Sequence, residues 1–430
     1  MRTLIKNARV LTMDDVFTVH ENGCVLVEDD LIAYAGAQED CPSGKAQHTI
    51  DAAGGIVMPG LCNMHTHVSM TYVRGIVNDR PLATWLARIL EIEALLEEED
   101  VYWGAMMGIA EMLSGGTTLL SDMYGMTAQI ARAAFDTGIR AAVADGFIGG
   151  QENADQLERT RALYERFNGE RIKVLVGLHA EYSTDSWMVR HAAELARELG
   201  TGIHVHVSET TREVDECIER HGMTPPAYLE KHGLFSAGQT VAAHCVDMRQ
   251  GDIEILAANG VSAAHNPGSN SILASGLSPI LQMAEKGVNV CIGTDGAASN
   301  NNLDMLQETY LASMLQKLFS RDAQALPARL ALEMATKNGP KALGWQHMTG
   351  MLKAGMKADL CIVGTDKPAY LPKTDPAVSL VFAGNAADVR LTMVDGRVLY
   401  ENGEYRTLDY DEVKREFLRI VDKLHKKAGI

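Results

Sequence analysis

The segment Asn63-Met64-His65-Thr66-His67 constrains this chain more than any other. It follows an apolar run at residues 56–58 and a Pro59-Gly60 break. Side chains two residues apart on a strand point to the same face, so His65 and His67 can reach one metal ion from the end of a buried strand. A short exposed loop with two unrelated histidines is the alternative, and the tripeptide alone does not decide between them.

The middle of the chain alternates apolar, strand-like runs with helical patterns, which is typical of βα units. The candidate strands lie at residues 56–61, 117–121, 140–144, 173–178, 202–207, 240–243, 261–264 and 288–293. Eight such strands fit an α/β fold of the (β/α)8 TIM barrel type. We therefore predict a catalytic barrel over residues 56–349.

Both ends of the chain contain short strand patterns with turn signals. Apolar or alternating runs occur at residues 359–363, 380–382 and 389–399, and Asp395-Gly396 and Asn402-Gly403 are strong hairpin signals. We predict one small β-sandwich domain formed by both termini, residues 1–55 and 350–408. Apolar residues at helical spacing then predict a closing helix over residues 409–430.

Composition excludes several classes of partner. The 430 residues carry a formal net charge of -17, which argues against binding to nucleic acid, and no apolar stretch reaches the ~20 residues of a membrane helix. The seven cysteines have no C-x-x-C spacing, as expected for reduced thiols, and the N-terminus shows no signal-peptide pattern. We expect a soluble cytoplasmic protein that acts on a small molecule.

Polar residues follow seven of the eight candidate strands. They are His65, His67, Asp122, His179, His206, Glu209, His244, His265, Asn266 and Asp295. Barrel enzymes place their chemistry at the carboxyl ends of the strands, and apolar periodicity alone does not require titratable groups there. This distribution favours the metal interpretation of the first two histidines.

Three imidazoles and one carboxylate form a ligand set suited to a divalent cation. The predicted ligands are His65, His67, His206 and Asp295, and they suit zinc, iron or manganese. A cation lowers the pKa of a bound water towards roughly 7. We expect His204, two residues before a ligand, to be a core histidine, and Asp122 to cap a strand end.

Hydrolysis at such a site also needs groups that move protons. Asp295 can accept a proton with the oxygen that does not bind the metal. Glu209, three residues beyond a ligand, is placed to protonate a ring nitrogen and then a departing amine. His244 can hold and polarise the water from the side.

Several segments resemble one known family. These segments are residues 58–67, His206-Val207-Ser208-Glu209-Thr210, Ala242-Ala243-His244-Cys245, residues 265–270 and residues 293–301. They are similar to the amidohydrolase superfamily, and particularly to its branch of 5'-methylthioadenosine/S-adenosylhomocysteine deaminases. The resemblance covers nearly the whole chain.

The resemblance implies a mononuclear metal site, with zinc as the first choice, that replaces an exocyclic amino group by oxygen. It implies catalytic roles for Glu209, His244 and Asp295. It also implies that substrate contacts the side chains Trp85, Glu93, His179, Glu209 and Ser299. The alignment needs a gap before residue 90, so Glu91 is an alternative to Glu93. Similar proteins are commonly dimers or tetramers.

Members of this branch that accept S-adenosylhomocysteine are expected to hold its carboxylate with arginines. Asp145 and Gln156 occupy those places here, and Arg140 falls within a strand. We therefore expect a preference for adenosine derivatives with a small uncharged 5' group. A deaminase of guanine, a pterin or another aminated heterocycle, or a triazine hydrolase, is the alternative, and a non-catalytic barrel scaffold is a remote one.

Overall fold

The structure is a computed structural model that describes residues 1–42 and 44–429. Residues 43 and 430, which belong to the predicted sandwich and the predicted closing helix, lie outside the described residues. The strands divide into two sheets, one formed by both ends of the chain and one by its middle.

The strands of the two sheets follow each other along the chain. The N-terminal strands are β1 (Arg2–Leu11), β2 (Val19–Glu28), β3 (Leu31–Ala37), β4 (His48–Asp51) and β5 (Ile56–Pro59). The central strands are β6 (Leu61–Thr66), β7 (Thr117–Tyr124), β8 (Arg140–Phe147), β9 (Ile172–Leu178), β10 (Ile203–Val207), β11 (Thr240–His244), β12 (Ser262–His265) and β13 (Asn289–Ile292). The C-terminal strands are β14 (Leu360–Val363), β15 (Val389–Val394), β16 (Arg397–Glu401) and β17 (Glu404–Tyr405).

Helices follow the central strands and one helix closes the chain. They are α1 (Leu82–Glu93), α2 (Glu98–Ser114), α3 (Thr127–Thr137), α4 (Asp155–Phe167), α5 (Ser186–Leu199), α6 (Thr211–His221), α7 (Pro225–Lys231), α8 (Asp252–Ala258), α9 (Pro267–Ile272), α10 (Ile280–Glu285), α11 (Ala297–Asn300), α12 (Met305–Ser320), α13 (Ala328–Ala335), α14 (Asn338–Ala342), α15 (Pro376–Ala383) and α16 (Tyr410–Ala428). Within the described part of the chain, no helix has the length and apolar character needed to cross a membrane.

The central sheet has eight parallel strands in sequential order, from β6 to β13. Its two edges meet where the backbone N–H of Asp295 donates to the carbonyl of His65 at 2.9 Å. Beside this bond, the side chains of Asn63 and Thr294 hydrogen-bond at 2.7 Å. The predicted (β/α)8 barrel is confirmed, and its closure joins the loop after the last strand to the first strand.

The first barrel strand starts later than predicted. Residues 56–61 do not form one strand, because the chain breaks at Gly60 between β5 and β6. β5 belongs to the terminal sheet, where it pairs antiparallel with β14. A Cβ at Gly60 would lie 2.1 Å from the side chain of Thr118, so only glycine allows the chain to pass from one sheet to the other here.

The terminal sheet has nine strands, with the C-terminal strands β14 to β17 on one side and the N-terminal strands on the other, and the two sets join where β14 pairs with β5. The two predicted hairpin turns are confirmed, since Asp395 and Asn402 have φ values of 48° and each precedes a glycine of positive φ. The predicted strand at residues 380–382 is wrong. Asp375 caps α15 by accepting from the N–H of Ala377, and Pro376 starts this helix.

A buried arginine joins the barrel to the terminal sheet. Arg140, at the start of β8, is fully buried, and its Nε donates to Asp359 at 2.6 Å. Its Nη2 also donates to Asp395, in the turn between β15 and β16. Arg140 therefore neutralises carboxylates of the terminal sheet from inside the barrel domain.

Replacing Arg140 with Met should lower stability markedly, because the buried carboxylate of Asp359 would lose its cation. Breaking a buried ion pair from one side typically costs about 3–5 kcal/mol. The measurement is urea unfolding followed by circular dichroism. The control is Arg132→Met, since Arg132 pairs with Asp136 at 3.7 Å on the surface and such pairs contribute little. Equal midpoints for the two variants would contradict this role of Arg140.

Candidate active site

Four predicted side chains converge where β6, β10 and β13 end. Single ring nitrogens of His65, His67 and His206 all lie within 4.8 Å of one another. Oδ1 of Asp295 lies 3.1 Å from Nε2 of His67 and 3.4 Å from Nε2 of His65. His65, His67 and His206 are therefore close enough to share one ion, and Asp295 lies against the first two of them.

The outer nitrogens of the histidines are held by the barrel itself. Nδ1 of His206 donates to the carbonyl of His179 at 2.7 Å, and Nδ1 of His67 donates to the carbonyl of Met123. Nδ1 of His65 lies 2.9 Å from Nε2 of His204, which is a buried core histidine as expected. These bonds leave the Nε2 atoms directed to the common centre.

The electrostatics of the cluster suit a cation. Burial lowers the pKa of His65 to about 3 and the pKa of His206 well below its usual value, so both rings are neutral ligands. Burial also lowers the pKa of His67, but the adjacent carboxylate of Asp295 outweighs it and raises that pKa to about 9. Burial works against ionisation of Asp295, yet its close contacts with His65 and His67 hold its pKa well below the usual range.

Two buried polar atoms of the cluster have no hydrogen-bond partner in the described part of the chain. They are Nε2 of His65 and Oδ1 of Asp295. Because an unpaired buried polar atom is costly, two such atoms facing each other indicate a missing shared partner. A divalent cation of the zinc type matches this donor set of imidazole nitrogens and one carboxylate oxygen.

Glu209 and His244 border the cluster from the next loops. Oε2 of Glu209 lies 3.9 Å from Nε2 of His244, and Oε1 accepts from Ser275 at 3.3 Å. Burial raises the pKa of Glu209. Nδ1 of His244 donates to Oδ1 of Asn270 at 2.9 Å, while the amide of Asn266 is farther away at 3.3 Å. This tautomer leaves Nε2 of His244 free to accept a proton.

The backbone around these groups is strained. Ser208, His244 and Asp295 have φ values of 51°, 72° and 60°. Non-glycine residues rarely adopt such values, and each costs of the order of 1 kcal/mol or more. The turns at three strand ends therefore direct specific side chains inward at the expense of local stability.

The oxygen of Asp295 that faces away from the cluster is not free. Its Oδ2 accepts hydrogen bonds from Ser269 at 2.7 Å and from Ser299 at 2.8 Å. Two donors occupy both lone pairs of this oxygen. Proton acceptance by this oxygen during hydrolysis stays a prediction, and so does a substrate contact of Ser299, whose hydroxyl is directed to Asp295 here.

The other expected substrate contacts lie on two sides of the site. The ring centroids of His179 and His206 are 5.0 Å apart. Nδ1 of His179 shares a hydrogen bond with the hydroxyl of Ser183 at 2.7 Å. Trp85 is buried on α1, and its Nε1 has no hydrogen-bond partner in the region that the structure describes. His179 borders the cluster, whereas Trp85 packs in a hydrophobic group with Leu273 and Ala298. A contact with substrate stays a prediction for each.

The structure separates the two candidate glutamates of α1. Glu93 hydrogen-bonds to the hydroxyl of Tyr124, and burial raises its pKa. Glu91 is 66% exposed and pairs with Arg88 at 2.8 Å on the surface. The geometry favours Glu93 as the residue that faces the site.

The two positions where arginines are expected to hold a substrate carboxylate carry Asp145 and Gln156, and both side chains already have partners. Asp145 pairs with Arg159 at 3.4 Å, and Gln156 binds both the N–H and the carbonyl of Ile148. A cavity of about 720 Å³ also opens beside Ser275, the partner of Glu209, and its wall combines apolar side chains with the charged side chains of Arg80, Arg212 and Glu216. Its lining includes Leu82, Leu86, Ile272 and Leu273.

Sequence reasoning missed several supporting residues. Ser269, Asn270 and Ser275 lie in or just after α9, and each hydrogen-bonds to a predicted catalytic group. Asp122, expected as a strand-end cap, accepts from the N–H of Val68 at 2.6 Å. Their residue types gave no signal, because a serine or asparagine in a loop is usually explained by the local turn.

Comparisons with known proteins agree with this geometry. The model of the Amidohydrolase family matches residues 56–399. The chain is 42% identical over 420 residues to the 5-methylthioadenosine/S-adenosylhomocysteine deaminase of Thermoanaerobacter pseudethanolicus, covering 96% of this chain and 97% of that protein. It is 43% identical over 418 residues to the 5'-deoxyadenosine deaminase of Methanosarcina acetivorans, covering 96% and 95%. The crystal structure of an adenosine deaminase from Xanthomonas campestris with bound zinc superposes with a TM-score of 0.94 at 30% identity, over 99% and 98% of the two chains.

Cation binding to the metal-free protein should release about one proton at pH 7. His65 and His206 are already neutral, whereas His67, with a pKa of about 9, must lose its Nε2 proton before it can bind. Titration calorimetry with zinc in buffers of different ionisation enthalpy measures the release. It should decline as the pH rises through 9, where His67 is already neutral. Binding at pH 7 without proton release would show that the His67–Asp295 pair does not exist.

Proposed function

The chain belongs to the amidohydrolase family, and from this premise we propose that it is a metal-dependent hydrolytic deaminase of adenosine-type nucleosides. Such an enzyme converts the 6-amino group of the base to oxygen and releases ammonia. The observation that carries the proposal is the meeting of the buried carboxyl group of Glu209 and Nε2 of His244 at the edge of the histidine and aspartate cluster. The relatives with deaminase names support the same reaction.

The cation would be held by His65, His67, His206 and Asp295, and zinc is the proposed metal. When bound, it supplies a nucleophile at neutral pH by lowering the pKa of water. The water oxygen replaces the 6-amino group, which leaves as ammonia. The protons of the water must therefore move to the base and to the departing amine.

Glu209 and His244 move these protons in our proposal. A buried carboxyl group with a raised pKa keeps its proton closer to neutral pH, so Glu209 can donate it to a ring nitrogen of the base. Nε2 of His244 is the acceptor on the water side, because Asn270 occupies its Nδ1. Oδ1 of Asp295 faces the cation, and its Oδ2 accepts from the two serines.

Substrate selection follows from the groups around the cluster. We propose that Glu93 binds the ribose hydroxyls and that Trp85 and His179 contact the nucleoside. Since Asp145 and Gln156 stand where carboxylate-binding arginines are expected, small uncharged 5' groups are preferred over a homocysteine group. The protein is proposed to act in the cytoplasm, which agrees with its seven free cysteines, and as a homo-oligomer.

A screen for ammonia release should identify the substrate class. Adenosine, 5'-deoxyadenosine and 5'-methylthioadenosine should be deaminated, with adenine-type absorption changing to hypoxanthine-type, and guanine and pterins should not. S-adenosylhomocysteine should have a clearly lower kcat/KM than 5'-methylthioadenosine, and equal values would contradict the preference for uncharged 5' groups.

Glu209→Gln should lose about 10²-fold or more in kcat and retain its metal. The control Glu254→Gln, which removes a surface charge on α8 paired with Lys286 at 3.0 Å, should retain activity.

Glu93→Gln and Glu91→Gln form a matched pair for the ribose contact. A charge-assisted hydrogen bond contributes about 1.5–3 kcal/mol, so Glu93→Gln should lower kcat/KM for 5'-methylthioadenosine by roughly 10- to 100-fold. Glu91→Gln removes only a surface charge that pairs with Arg88 and should have little effect. If the loss falls on Glu91→Gln instead, the alternative alignment is right.

A further inference from the structure

The two serines that bind Asp295 come from different loops. Ser269 lies on α9, after strand β12, and Ser299 lies on α11, after strand β13. Their hydroxyls meet at Oδ2 of Asp295 at 2.7 and 2.8 Å. The orientation of the carboxylate, and with it the direction of Oδ1, depends on the distance between these two loops.

A single buried carboxylate spans both loops. Oε2 of Glu308 accepts from the backbone N–H of Gly268 at 2.9 Å, and Oε1 accepts from Nδ2 of Asn300 at 2.9 Å. Gly268 directly precedes Ser269, and Asn300 directly follows Ser299. Nδ2 of Asn300 also donates to the carbonyl of Thr294 at 2.7 Å, so Glu308 reaches the residue before Asp295 as well.

The surroundings of Glu308 suit it to bind the backbone N–H of Gly268 and the side chain of Asn300. It lies on α12, its exposed fraction is 0%, and its carboxylate faces no arginine or lysine among the hydrogen bonds and ion pairs of the described residues. A Cβ at Gly268 would lie 2.4 Å from its Oε1, so only glycine allows this approach. Both oxygens face N–H donors, and a glutamine at this position would turn its own NH₂ group towards one of them.

We propose that Glu308 is a positioning residue for Asp295. It fixes the separation of Ser269 and Ser299, these serines hold Oδ2, and Oδ1 is thereby directed to the two imidazoles. Glu308 contacts neither the cation nor the substrate. The inference rests on the proposed metal-dependent function. Glu308, on α12, orients Asp295 through the two loops that carry Ser269 and Ser299.

The test is the zinc affinity of the metal-free Glu308→Gln protein, measured by competition with a chelating dye. Changes to groups that orient a metal ligand typically cost 10- to 100-fold in affinity or activity, and we expect a loss in this range. With zinc at saturation, kcat for 5'-methylthioadenosine should fall more than KM changes. The visible spectrum of the cobalt-substituted protein should also differ from that of the parent, because a rotated Asp295 changes the coordination.

Asp304→Ala is the matched control. Asp304 caps the same helix by accepting from the N–H groups of Leu306 and Gln307, so its loss destabilises α12 without touching either serine. This variant should lose thermal stability and keep its zinc affinity and cobalt spectrum. An equal loss of affinity in both variants would reduce the effect of Glu308 to helix stability and overturn the proposal.

A variant that lacks both serine hydroxyls shows whether Glu308 acts through the serines. In Ser269→Ala/Ser299→Ala protein, adding Glu308→Gln should cause no further loss of zinc affinity, whereas independent effects would multiply and contradict the proposal. If Glu308→Gln does not fold, Asn300→Ala removes one of the two contacts and should give a smaller loss of the same kind. A parent protein that binds zinc poorly would refute the metal-dependent function itself, which separates the two proposals.

Discussion

The contact between Asp295 and the histidines of the first barrel strand is the constraint on which the site depends. It exists only because β13 and β6 meet, and the N–H of Asp295 donates to the carbonyl of His65 at that seam. Among the described residues, Nε2 of His65 and Oδ1 of Asp295 lack hydrogen-bond partners, and burying such atoms is costly without a cation. Barrel closure and metal binding are thus coupled. Closure brings the carboxylate of Asp295 against the histidines, and a bound cation would remove the cost of burying these groups together.

Much of this arrangement is predictable from the sequence. Barrel strands are short and apolar, so His65, His67, His206 and Asp295 could be placed at strand ends by position alone, and the common rim of a parallel barrel brings such positions together. Gly60 could not be interpreted this way. The apolar runs on its two sides read as one strand, and only the pairing of β5 with β14 shows that they belong to different sheets.

The hydrogen-bond network behind the ligands was not predictable, for a physical reason. Ser269, Ser299 and Glu308 act through distances between loops that are remote in sequence, and no periodicity encodes such distances. The same holds for the positive φ values at Ser208, His244 and Asp295, because none of these residue types marks a left-handed conformation reliably. Sequence patterns therefore located the groups that react, while the groups that orient them needed coordinates.

The pairing of N-terminal β5 with C-terminal β14 has a consequence for biosynthesis. Val57 of β5 faces Ile362 of β14, so about 300 residues must be translated before this pair can form. Translation proceeds at roughly 5–20 residues per second. The edge of β5 therefore stays unpaired for on the order of 15 to 60 s during synthesis. Such nascent edges invite aggregation, and a chaperone that shields them would act before the last quarter of the polypeptide emerges.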